Sequence, residues 1–168
     1  MKYDDMEKKE LKISYTEYET EAELSEMEQQ LLKKAREASE RAYAPYSNFY
    51  VGAALWLDNG IIVSGNNQEN VAYPSGLCAE RVAIYAAGAQ YPDVKIRAIA
   101  VTCKSKQFAV NEPLSPCGAC RQAIAEYEQR YHTDIRIILT GETGKIRVLD
   151  SISDMLPFMF KAEELKKA

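Results

Sequence analysis

With 168 residues, 25 acidic and 21 basic side chains and a net charge of −4, the chain is long enough to bury one core and has the wrong sign for a polyanion binder. No apolar run approaches the ~20 residues that cross a bilayer, and the charged first residues hold no signal-peptide core; the expectation is a cytoplasmic protein with no membrane and no nucleic-acid partner. Four cysteines, Cys78, Cys103, Cys117 and Cys120, suit metal ligation in a reducing compartment better than a disulfide framework.

Residues 1–23 stand apart as an extension. Leu11, Ile13 and Tyr15 alternate there, which predicts either an edge strand or a partly disordered segment. A domain of residues 24–168 follows. Leu24, Met27, Leu31, Ala35 and Ala38 recur at helical spacing, with Ser25 as cap and Glu28 completing a capping box. This helix ends near Pro45. Strands over 50–57 and 61–65 are joined by Asp58-Asn59-Gly60, a strong hairpin signal.

Two alanine-rich helices come next, over 78–89 and 117–131, separated by a buried strand over 96–102. A further apolar strand covers 135–139, a turn 141–144 and a last strand 146–149. Ser153 is the expected cap of a final helix that Pro157 bends or divides. Strands alternating with helices predict an α/β fold, a central sheet with helices on both faces and its later strands parallel.

The chemistry gathers where those two helices begin, at Cys78-Ala79-Glu80 and Pro116-Cys117-Gly118-Ala119-Cys120. Cys117 and Cys120, three apart, share one side of a first turn, and Pro116 suits the start of that turn. Unsatisfied N–H groups at a helix start favour thiolate, the form that binds metal. Cys78 and Glu80 are two apart, so an ion must meet the end of their helix and not its flank. Three sulfurs leave one position of a tetrahedral zinc open, and that is the catalytic arrangement. Three thiolates around Zn²⁺ carry excess negative charge, which a neighbouring guanidinium offsets. Arg81 is the preferred candidate to hydrogen-bond a ligand sulfur, and Arg121 is left open.

Together with Tyr43-Ala44-Pro45-Tyr46-Ser47-Asn48-Phe49, Val51-Gly52-Ala53-Ala54-Leu55 and Asn67-Gln68-Glu69-Asn70, these motifs resemble the zinc-dependent cytidine deaminases of the small homotetrameric type. The resemblance runs from about residue 24 to 165 and keeps the family's motif order. It implies a three-layer α/β/α fold around a mixed five-stranded sheet. It also implies hydrolytic deamination of cytidine and deoxycytidine in pyrimidine salvage, with Zn²⁺ held by Cys78, Cys117 and Cys120 and activating water. In the same way Glu80 becomes the proton shuttle, Phe49 lies against the pyrimidine, Asn67 and Glu69 take the ribose hydroxyls, and the backbone at Ala79 meets the base. Phe160, or alternatively Phe158, reaches a neighbouring subunit's site in a homotetramer. The implied substrate is a free nucleoside. Asn66, where many relatives carry cysteine, and the segment Tyr73-Pro74-Ser75-Gly76-Leu77 depart from the family pattern and bear on substrate range.

Other residues take plainer readings. His132, the only histidine, belongs on the surface at a helix end, where its charge is favourable. Cys103 reads as a small buried apolar side chain. Tyr46 and Tyr73 are candidates to line the pocket. Two rival functions stay open at this point. One is a deaminase of a modified cytosine nucleoside or of nucleic acid. The other is a zinc-stabilised interaction module in which Cys103 or Glu80 closes the coordination sphere.

Overall fold

The computed structural model describes residues 7–161 and Leu165. Its first strand, β1 (Thr16–Tyr18), leads through a short turn to helix α1 (Glu26–Ser39). The capping box forms as expected: Ser25 Oγ accepts the Glu28 N–H at 3.4 Å, and the Glu28 carboxylate accepts the Ser25 N–H at 2.9 Å. Strands β2 (Phe49–Leu57) and β3 (Ile62–Asn66) make the hairpin, and helix α2 (Ala79–Gln90) follows. Strand β4 (Ile96–Ser105), helix α3 (Gly118–Tyr131) and strands β5 (Arg136–Thr140) and β6 (Ile146–Leu149) complete the regular elements.

The strands form one sheet in the order β1-β6-β5-β4-β2-β3. It is mixed, as expected, but only β4 and β5 run parallel; β6 is antiparallel to β5, so the later strands are not all parallel. The reason is local, because the five residues between β5 and β6 allow a hairpin return but no crossover helix. A sixth strand also corrects the expected five. β1 pairs antiparallel with β6 through Thr16, Glu17 and Tyr18, one step beyond the alternating residues at 11–15. Leu11 and Ile13 stay exposed. Charge fixes the pairing, with Glu17 accepting from Arg147 at 2.8 Å and the Arg147 guanidinium lying 5.0 Å over the Tyr15 ring.

Alternation along β2 builds both faces of the core. Ala53, Leu55 and Leu57 pack with Ala83, Ile84, Ile124 and Ala125 of α2 and α3. Ala54 packs with Leu31, Leu32 and Ala35 of α1 on the opposite face, joined by Ala98, Ala100 and Ile138. The result is three layers, α/β/α. Small residues set how near the helices come. A Cβ on Gly65 would lie 2.5 Å from the Ala83 nitrogen and 2.7 Å from the Ala79 carbonyl oxygen, so only glycine lets β3 touch the first turns of α2.

The final helix expected from Ser153 does not form within the described residues up to 161. The chain instead makes one 3-10 turn, Ile152–Asp154, whose cap is Ser151, its side chain accepting the Ser153 N–H. Pro157 has no donor to continue it. The last turns expected beyond Pro157 involve residues 162–164 and 166–168, which lie outside the described residues. No helix among the described residues is long and apolar enough to cross a membrane.

Candidate active site

Two helix starts converge on one point. Cys78 is the N-cap of α2 and Cys117 the N-cap of α3, each with extended backbone, and Cys120 sits in the first turn of α3. Pro116 therefore precedes the cap and does not occupy the first turn; the extended cap residue displaces the helix start by two positions from it. Cys78 Sγ lies 3.8 Å from Cys117 Sγ, and Cys117 Sγ lies 3.5 Å from Cys120 Sγ. All three sulfurs fall within 4.8 Å of one another. Sulfurs held at the zinc–thiolate distance in a tetrahedron stand roughly 3.8 Å apart, so the donor set fits zinc. Cys103 and His132 are not in this group. Cys103 is buried on β4 with its thiol pushed up to about 11 by burial and by the Glu142 charge. His132 is the exposed, left-handed C-cap of α3.

Within the cluster, Cys78 is the thiol prepared to lose its proton. It is drawn down to about 5, first by sharing a hydrogen bond with Cys120, against burial, and with help from Arg81 and Cys117. Cys120 is pushed up by that same bond and by burial, since it keeps the shared proton. Arg81 Nη2 stands 3.9 Å from Cys78 Sγ. Arg121 serves elsewhere: its Nε donates to the Pro116 carbonyl at 2.8 Å and its Nη1 to the Met155 carbonyl at 2.9 Å.

Glu80, in the first turn of α2, is 4% exposed and still lines the cleft beside Cys78, Arg81 and Cys117. Burial, reinforced by the Cys78 charge, pushes its carboxyl above the usual range. A buried acid that keeps its proton more readily than a free one, next to a three-cysteine cluster able to hold a metal, is equipped to exchange protons with a reacting group.

A cleft of about 820 Å³ opens in front of these groups, within the size range of small-molecule sites. Phe49, Asn67 and Glu69 line it. So do Tyr46 and Tyr73, whose rings meet edge to face with centroids 6.2 Å apart. Asn67 and Glu69 also have partners within the chain. Asn67 Oδ1 accepts the Val51 N–H at 2.8 Å and its Nδ2 donates to the Phe49 carbonyl at 2.9 Å. Glu69 Oε2 accepts the Tyr46 N–H at 2.8 Å and the Ser47 N–H at 3.3 Å, while Oε1 accepts the Ser47 hydroxyl. Burial is the largest single influence on the Glu69 carboxyl and raises it, but these donors together outweigh it and hold the group below its ordinary value.

Ala79 contributes no side chain to the cleft wall. It is fully buried at the first position of α2, where backbone N–H groups have no partner within a helix. Phe160 does not line its own chain's cleft. The residue is 71% exposed, while its backbone is held from both sides by the Gln122 amide at 3.1 and 3.2 Å. Phe158 is more exposed still, at 89%.

Ser47 and Gln68, which stand in the quoted motifs but drew no individual role from the sequence, also line the cleft; sequence reasoning missed Leu114 and Ser115, which line it too, and Phe108, stacked on Phe49 at 6.2 Å. Leu114 and Ser115 directly precede the Pro116-Cys117 motif, which was a usable signal. Phe108 carried none.

Comparison with known proteins agrees with this geometry. Residues 25–133 match the family model described as the cytidine and deoxycytidylate deaminase zinc-binding region. A cytidine deaminase of Halalkalibacterium halodurans is 40% identical over 139 residues, covering 82% of this chain and 96% of the relative. The crystal structure of cytidine deaminase from Burkholderia pseudomallei superposes with a TM-score of 0.67 at 40% identity, covering 78% of this chain and 97% of that one. That from Mycobacterium tuberculosis gives a TM-score of 0.61 at 31% identity, over 79% and 96%. Three clustered sulfurs at paired helix starts, and a family match that takes in all of them, lead to one conclusion: this chain belongs to the zinc-binding cytidine and deoxycytidylate deaminase family.

Proposed function

We propose that this protein hydrolyses cytidine and deoxycytidine to uridine and deoxyuridine with release of ammonia, a reaction of pyrimidine salvage. The observation that carries the reading is the three-sulfur cluster at two helix starts, with the buried Glu80 carboxyl facing the same cleft. Cys78, Cys117 and Cys120 hold the zinc. Zinc bound there supplies Lewis-acid activation of water. Glu80 takes a proton from the attacking water, delivers it to ring N3, and later passes one to the departing amine. Arg81, at Cys78 Sγ, offsets the negative charge of the sulfurs.

Phe49 lies against the pyrimidine, and the first-turn backbone N–H at Ala79 meets the base. Asn67 and Glu69 bind the ribose hydroxyls. Each keeps hydrogen-bonding capacity for this, since an amide has two donors and two lone pairs and a carboxylate about four acceptor sites. Among the described residues, the acidic and basic residues of the cleft wall are Glu69, Glu80 and Arg81, a poor lining for a polyanionic strand. That supports a free nucleoside and not nucleic acid as substrate. The exposed Phe160, with its backbone clamped by Gln122, supports a homotetramer in which this ring enters a neighbouring copy's cleft. Residues 24–168 are the catalytic unit and 1–23 an extension to it.

The test is zinc content measured beside ammonia release from cytidine, deoxycytidine and a short cytosine oligonucleotide. Turnover of the two nucleosides by zinc-loaded protein is the expected result. Turnover of the oligonucleotide alone would overturn the substrate, and turnover by metal-free protein would overturn the chemistry.

A further inference from the structure

Phe49 and Glu69 come from different segments, one from the start of β2 and the other from the loop after β3. Ser47 joins them. Its Oγ accepts the Phe49 N–H at 3.0 Å and its hydroxyl proton goes to Glu69 Oε1, so its single donor is committed to the carboxylate. Between Ser47 and Phe49 the backbone of Asn48 is left-handed, with φ of 52°, a conformation that non-glycine residues seldom adopt and that surrounding bonds must maintain. The same Glu69 accepts the Tyr46 and Ser47 N–H groups. From the other side, Asn67 takes the Phe49 carbonyl.

We propose that Ser47 is a positioning residue whose hydroxyl couples Glu69 to Phe49, setting the sugar-binding carboxylate and the base-facing ring as one rigid unit. The proposal rests on the reading above that Glu69 meets the sugar and Phe49 the base. Ser47 is not part of the three-sulfur cluster, and its hydroxyl bonds to Glu69 and Phe49. Its loss therefore weakens substrate binding more than it slows the chemical step.

Steady-state kinetics with cytidine on Ser47→Ala, Ser47→Thr, Glu69→Gln and the Ser47→Ala/Glu69→Gln double variant provide the test. Ser47→Ala should raise KM roughly tenfold, the size of one lost bond to a charged group, with kcat within about twofold. Ser47→Thr, which keeps the hydroxyl, should recover most of the loss. Because the serine acts through the carboxylate, the double variant should have a KM within about twofold of Glu69→Gln alone. Wild-type KM in Ser47→Ala, or penalties that multiply in the double variant, would overturn the coupling while leaving the sugar-binding role of Glu69 intact. An unchanged KM in Glu69→Gln would instead overturn that role and the coupling's catalytic consequence with it.

Discussion

Arg81 and Cys78 sit one helical turn apart at the start of α2, and the guanidinium Nη2 reaches the sulfur at 3.9 Å. The spacing is that of a capping box, with a cation and a thiol in place of the usual acid and hydroxyl. Replacing Arg81 by Gln should loosen zinc on the order of tenfold or more, the usual effect of losing a partner of a metal ligand. Arg81→Lys should fall between the two, since an ammonium brings charge without the planar fork. Competition with a chromogenic chelator reads both.

Glu80→Gln separates metal binding from proton transfer. The variant should retain zinc as wild type does, because the three sulfurs are untouched. Ammonia release from cytidine should fall by roughly 10²–10⁴. A variant that turns over at the wild-type rate would remove Glu80 from the mechanism.

Cys117→Ala removes a sulfur that lies within 3.8 Å of both others. Zinc content should drop, and with it the share of folding stability that the bound ion contributes. The thermal midpoint of the variant should therefore lie below that of the zinc-loaded wild type. Stripping both proteins with a strong chelator should bring the two midpoints together, and a gap that persisted would mean the cysteine matters mainly through packing.

Away from the cleft, Glu28 ties α1 to the sheet by accepting from Arg136 Nε at 2.6 Å, while it also closes the α1 cap. Burial alone would raise its carboxyl, but the bonds from Ser25 and Arg136 outweigh that and hold it below its ordinary 4.5. A carboxyl lowered in the folded state binds fewer protons there than in the unfolded chain. Its stabilisation is thus complete above 4.5 and is lost as pH falls through the folded value. Glu28→Gln should lower the urea midpoint at neutral pH and flatten its decline between about pH 6 and about pH 3 relative to wild type. Parallel declines would show that Glu28 has no such linkage.

Local signals were readable from the chain, and distant partnerships were not. The Ser25–Glu28 box, the turn after Leu57 and the two cysteine-led helices each depend on residues within a few positions of one another, so their spacing was enough. The edge strand offered as one reading of the alternation at 11–15 lies instead at Thr16–Tyr18, which has no apolar alternation of its own; it pairs with β6, and Arg147 and Lys145 salt-bridge Glu17 and Glu19 from far along the chain. Asn67 and Glu69 line the cleft. Their bonds to Phe49, Val51, Tyr46 and Ser47 were not foreseen, because spacing gives no measure of which backbone groups a loop brings alongside. Arg121 shows the same limit, with one of its two carbonyl partners, Met155, 34 positions away.

The position of β1 has a practical side. It is the outermost strand on one flank, and β2, which begins at the cleft, lies four strands further across the sheet, roughly 19 Å at the ordinary strand spacing. A fluorescent reporter or surface tether placed on β1 would thus sit four strands away from the strand that begins at the substrate entrance. That makes this edge of the sheet a natural anchoring point for immobilising the catalyst.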